Sequence, residues 1–156
     1  MLDWTADTLL DELHRAAGAP DPLAALHALH MAHVGFVIRH PAVPRLIFQE
    51  LQHAGDSPLK ARVPGLIQRY QELVTEPLVR ARAQEQLLPQ ADLESATVIF
   101  IGSVQGLVMQ ALVSGQVSGI ALLAPRVFRH FLFGFAHEQA RGAFERAPAE
   151  TRSASA

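Results

Sequence analysis

Cysteine is absent from the 156 residues, which removes disulfides, thiolate metal sites and cysteine nucleophiles together. Charge is scarce as well. Asp, Glu, Lys and Arg make up 18% of the chain, and none of them occurs between Ser95 and Pro125. The 13 basic residues are scattered, and the net charge is −2. Nucleic-acid affinity rests on concentrated positive charge, so this chain alone is a poor nucleic-acid binder. Strand-like alternation is nearly missing, and there is no nucleotide-binding glycine loop. The N-terminus carries no basic-then-apolar leader, and the lack of cysteine fits a reducing compartment. The cytoplasm is the expected location.

What is there in excess is uncharged sequence. The stretch SATVIFIGSVQGLVMQALVSGQVSGIALLAP is followed at once by Phe128, Phe131, Leu132 and Phe135. A membrane span needs about 20 predominantly apolar residues, but Ser103, Gln105, Gln110, Ser114, Gln116 and Ser118 interrupt this run. Gly115 and Gly119 divide it, Pro125 follows, and no Lys/Arg cluster flanks it. No membrane contact is expected. The surplus apolar surface instead suggests burial against a second copy of the chain.

Helix punctuation is dense. Leu2, Leu9, Leu10 and Leu13 mark a first amphipathic helix that ends near Gly18. Asp21-Pro22 supplies an N-cap and a first-turn proline for the second, which runs to about Arg39, before His40-Pro41. A short third helix covers about Pro44 to His53. Ser57-Pro58 opens a fourth reaching roughly Leu88, with a break or kink expected at Pro64-Gly65 and Pro77. Asp92 caps the fifth, and the sixth begins near Pro125 and passes Phe135. The expected fold is an all-α, orthogonal/antiparallel bundle of about six helices over residues 1–144, with a disordered tail at 145–156.

In the fifth helix, Phe100, Val104, Leu107 and Ala111 fall on one side, and Gly102, Gln105, Gly106, Met109 and Leu112 lie broadly on the other. A Gly-x-x-x-Gly pair permits close helix approach, within one subunit or between two. Leaving Phe128, Phe131 and Phe135 exposed would forfeit roughly 1.5–3 kcal/mol each. These rings and Leu132 are therefore assigned with the glycine side to a homodimer seam. Two helices repeated by a twofold axis make an intermolecular four-helix bundle.

The order of these elements resembles the C-terminal ligand-binding and dimerisation domain of the tetracycline-repressor (TetR) family. The resemblance spans roughly Leu2 to Ala136. It rests on His40-Pro41 with the following RLIFQEL, on the helix containing Glu76-Pro77-Leu78, and on DLESATVIFIGSVQGLVMQAL. It implies an effector-sensing homodimer in which DNA is contacted only through a helix-turn-helix head that this chain lacks. It also implies a pocket for a small, largely apolar effector between the second, third, fourth and fifth helices. Candidates there are His33, Phe36, Val37, Phe48, Leu66, Tyr70, Val74, Phe100 and Val104, with His33 and Tyr70 as the polar groups. The competing reading makes all nine plain core, in a helical interaction protein that has no pocket and works without a head.

Chemistry-bearing motifs fall short. His27, His30 and His33 are three apart on one helix, and the outer two turn away from each other, so no metal site is assigned. Gly102-Ser103-Val104-Gln105-Gly106 has its serine one place early for a nucleophile elbow. His137-Glu138-Gln139-Ala140-Arg141 lacks the second histidine of a zinc-protease helix. Asp3, Asp7 and Asp11 read as a solvated stripe. No enzyme activity and no cofactor are expected.

Overall fold

A computed structural model describes the backbone of residues 2–148 and the side chains from Thr5 onward. The all-α expectation holds. The helices are α1 (Leu2–Ala17), α2 (Pro22–Arg39), α3 (Ala42–Gln52), α4 (Pro58–Ala83), α5 (Leu93–Ser114), α6 (Ile120–Phe135) and α7 (Glu138–Arg146), with a 3-10 turn at Val117–Gly119 leading into α6. Side chains close the helix starts as the sequence suggests. The Asp21 carboxylate accepts from the Ala24 N–H at 2.9 Å. Ser57 Oγ accepts from the Lys60 N–H at 3.1 Å, and Asp92 accepts from the Ser95 N–H at 3.1 Å. Each satisfies a donor that has no partner within its own helix. Gly115, at φ 72°, ends α5 in the left-handed region open to glycine.

Helix α2 is the axle of the bundle and packs against α1, α4, α5 and α6. One core joins Leu13 of α1, Leu23, Leu26 and Leu29 of α2, Tyr70, Val74 and Leu78 of α4, Phe100 of α5, and Phe128, Phe131 and Leu132 of α6. A second joins Val34 and Val37 to Val104, Leu107, Val108 and Ala111, with Ile120 and Ala124. By contrast, α3 buries no residue fully and leaves Leu46 and Leu51 exposed.

Four expectations need correction. First, α4 is not broken at Pro64-Gly65 or Pro77 but runs on through both as one helix. Burial of Val63, Tyr70, Val74, Pro77, Leu78 and Ala81 along its length outweighs the lost hydrogen bonds. Second, it stops at Ala83 rather than near Leu88. There the Glu85 N–H bonds to Arg82 O and the Gln86 N–H to Ala81 O, a Schellman closure. Third, α6 begins at Ile120, so Pro125 lies inside it. Fourth, a seventh helix follows. The chain turns extended at Ala136 and His137, where Leu88 N–H bonds to Phe135 O at 2.8 Å and His137 N–H to Gln86 O at 2.6 Å. His137 Nδ1 then caps α7 by accepting from the Gln139 N–H. Glu145 and Arg146 of the expected tail belong to α7, and 149–156 lie outside the described residues.

The Schellman turn places Glu85 at φ 57°, a left-handed conformation costing a non-glycine residue roughly 1–2 kcal/mol. Glu85→Gly is expected to raise the thermal midpoint by a few degrees, the equivalent of about 1 kcal/mol. Differential scanning calorimetry checks it.

Candidate ligand cavity and helix-pairing surface

At one end of the bundle α1, α3 and α4 stand apart around a cavity of about 270 Å³. Helix α1 lines it with Thr5, Ala6, Asp7, Leu9 and Leu10, and α3 with Val43 and Ile47. Helix α4 adds Leu59, Ala61, Arg62, Val63, Gly65, Leu66 and Arg69, and Phe36 of α2 completes the lining. The walls are mainly apolar, and the charged groups are Asp7, Arg62 and Arg69, all exposed residues. A cavity of this kind fits the general description of a small-molecule site.

Of the nine residues assigned to a pocket, only Phe36 and Leu66 line this cavity. Val37 and Val104 lie in the second core with Phe48 packed against it, while Val74 and Phe100 are fully buried in the first. His33 and Tyr70 do meet, with Nδ1 2.9 Å from the phenol oxygen, but as a bridge between α2 and α4. Apolar spacing does not distinguish a residue facing a neighbour from one facing a gap. The lining missed by that reading comes chiefly from α4 and α1, with Val43 and Ile47 from α3. Its only signals in the sequence were Leu9-Leu10 and the short amphipathic stretch carrying Val43 and Ile47.

Burial acts strongly on the α2 histidines. His30 is fully buried, its Nε2 3.4 Å from Ser103 Oγ and its Nδ1 without a hydrogen-bond partner. Desolvation, and then the nearby His27 and His33, lower its pKa to about 4. Burial likewise lowers His33 to about 4 and raises Tyr70 above its ordinary value. These groups are therefore neutral near pH 7. Among the described residues no three His, Asp or Glu side chains come together as a metal-ligand set. Ser103 lies within α5, its hydroxyl donating to Phe100 O at 2.7 Å, a local helix bond.

The other end of the architecture is the outward side of α5 and α6. Val98, Ile99, Gly102, Gln105, Met109 and Val113 are exposed along α5, and Gly106 and Leu112 are half-buried. Val113 is 83% exposed and Leu122 of α6 82%. A Cβ added at Gly102 or Gly106 would meet no atom within 4 Å. The glycines thus serve no close packing inside the chain. Helix α5 is long and apolar enough to cross a membrane, but 44% of its most apolar window is buried in the bundle.

The seam expected on α6 is corrected. Phe128 (1% exposed), Phe131 (6%) and Leu132 (1%) point into the chain's own core, and Phe135 is half-buried against it. Their i, i+3, i+4, i+7 spacing is a core-facing stripe. The outward stripe instead carries Leu122, Arg126, Arg129 and Phe133. Arg141 of α7 stacks over the Phe133 ring with 4.4 Å between guanidinium carbon and centroid.

No family model and no curated protein matches the sequence. Two solved structures share its arrangement. One is SmeT, the repressor of the Stenotrophomonas maltophilia multidrug efflux pump SmeDEF. It matches with a TM-score of 0.66 at 15% identity, over 89% of this chain and 80% of that one. The other is a protein of unknown function from Rhodococcus sp. RHA1, with a TM-score of 0.67 at 19% identity, over 87% of this chain and 73% of that one. The chain has a TetR-like fold.

At such identities the likeness is one of backbone arrangement, so the TetR-like frame places elements and leaves side-chain roles to local chemistry. In this frame the apolar cavity and the uncharged surface occupy different helices. The cavity belongs to α1, α3 and α4, and the uncharged surface to α5, with the Arg-bearing outward stripe of α6 beside it.

Proposed function

We propose that this chain is the effector-sensing and homodimerising body of a TetR-type transcriptional regulator acting in the cytoplasm. A small, mainly apolar molecule occupies the α1/α3/α4 cavity, and a second copy covers the outward side of α5 and α6. DNA contact falls to a helix-turn-helix head joined to the N-terminal end of α1. The observation that carries this reading is the open Gly102–Gly106 pair on an uncharged, outward helix face. A glycine in a helix interior costs about 1 kcal/mol relative to alanine. Two of them facing open space give the isolated chain nothing in return, whereas a second helix could approach closely there.

Sensing follows from the cavity's walls. Three of its sides are separate helices, one of them α1, so a ligand that fits one spacing of α1 against α4 better than another shifts the population between them. The reading assigns binding and no catalysis.

Gly106→Leu tests the pairing surface. The added side chain should weaken the dimer by about 1–3 kcal/mol, or roughly five- to 150-fold in dissociation constant. The fold itself should be no less stable, because the leucine meets open space and favours the helix. Native mass spectrometry and sedimentation equilibrium measure both species. A wild-type mass equal to the 17.0 kDa monomer at micromolar concentration would overturn the dimer.

A further inference from the structure

We propose that the α1/α3/α4 cavity selects a small amphiphile with a single anionic end, its charge met by Arg69 at the rim. The proposal rests on the sensor reading above and adds the ligand's chemistry to it.

Size comes first. A cavity of about 270 Å³ falls just below the roughly 300–1,000 Å³ of drug-sized sites, so the occupant is small. Next is the body of the ligand. Leu9, Leu10, Ile47 and Leu66 offer it no hydrogen-bonding side chain, so that part is apolar. Charge decides the rest. Two guanidiniums, Arg62 and Arg69, line the cavity against one carboxylate, Asp7. Counted over the lining residues alone, one positive charge is in excess.

Arg69 is the better candidate for that surplus. Arg62 has contacts of its own, whereas Arg69 makes no hydrogen bond or ion pair among the described residues. Asp11 and Glu72 share an adjoining recess with Arg69 but do not line the cavity. Glu72 there accepts from Gln68 at 3.3 Å. An arginine presents a planar fork suited to a carboxylate. An apolar tail held by the walls would place such a group at the rim, with its charge in partial solvent.

Isothermal titration of octanoate, octan-1-ol and octylamine into the full chain at pH 7.5 and low salt tests this. Octanoate should bind about tenfold more tightly than octanol, the margin of a charge-assisted bond discounted for exposure. Octylamine should bind most weakly. Arg69→Gln should bring octanoate to the level of octanol while leaving octanol unchanged, and Asp7→Asn should tighten octanoate. Octanol binding as well as octanoate, octylamine binding best, or an octanoate preference that survives Arg69→Gln would each overturn the proposal. The sensor reading fails separately. If octanol binds and Leu66→Trp abolishes it, the cavity remains the ligand site whatever the charge preference. If none of the three binds, both readings fall.

Discussion

Phe128→Ala is expected to cost the folded chain about 3–5 kcal/mol, the range for removing a large buried ring from a core. Phe128 is 1% exposed and sits at the meeting point of three elements. Its ring centroid lies 5.1 Å from that of His27, 5.5 Å from His30 and 5.7 Å from Phe144 of α7. Alanine there would open a cavity bounded by α2 and α7 as well as by α6. Urea denaturation followed by circular dichroism measures the loss, which should persist at every protein concentration because the ring supports the single chain. A seam role gives a different result. The loss would then shrink on dilution, where the dimer no longer contributes. Phe128→Ala and Gly106→Leu should therefore separate cleanly, one acting on the fold and the other on the pairing of copies.

Acid should unfold the protein earlier than its surface charge suggests. His30 and His33 have their pKa lowered to about 4 by burial, His30 also by its two histidine neighbours. In the unfolded chain both return to the ordinary 6.5. Between these values the unfolded state binds protons that the native state refuses, so stability falls as pH falls. The contribution is complete above pH 6.5 and is lost progressively down to about pH 4. At about 1.4 kcal/mol per pH unit, His30 accounts for a loss of roughly 3 kcal/mol. His33 contributes less, since part of that residue remains accessible. Such a loss is a large share of the 5–15 kcal/mol typical of a domain. Urea midpoints between about pH 5 and 7 follow the range in which His30 and His33 bind protons in the unfolded chain but not in the native one. The slope should be steep in the wild type and shallower in His30→Leu. An unchanged slope would mean that the buried ring is not the group that titrates.

The two ends of the molecule were legible to different degrees. Asp21, Ser57, Asp92 and Gly115 mark helix ends by chemistry local to a few residues, and the structure places ends at all four. The α4 terminus was missed because Glu85 occupies a position where glycine is the usual signal. Helix α7 was missed because a long-range pairing, Leu87 against Ala136, interrupts the α6 register from outside. On α5 the glycine side was assigned to a homodimer seam, and in the single chain Gly102 and Gly106 face open space. On α6 the strongest stripe was assigned to a partner, when such a stripe first serves the chain's own core.

Composition and local pattern alone determined that this protein is helical, free of thiol chemistry, and marked by one long uncharged segment. These properties depend on residue type and on neighbours within about one helical turn, information the sequence carries directly. Which apolar residues border empty space was decided only by tertiary structure. Phe36 and Leu66 line the cavity, while Val37 and Val104, no different in kind, fill the core. A cavity arises where three helices stop short of one another, and that separation is set by the packing of the whole bundle around α2.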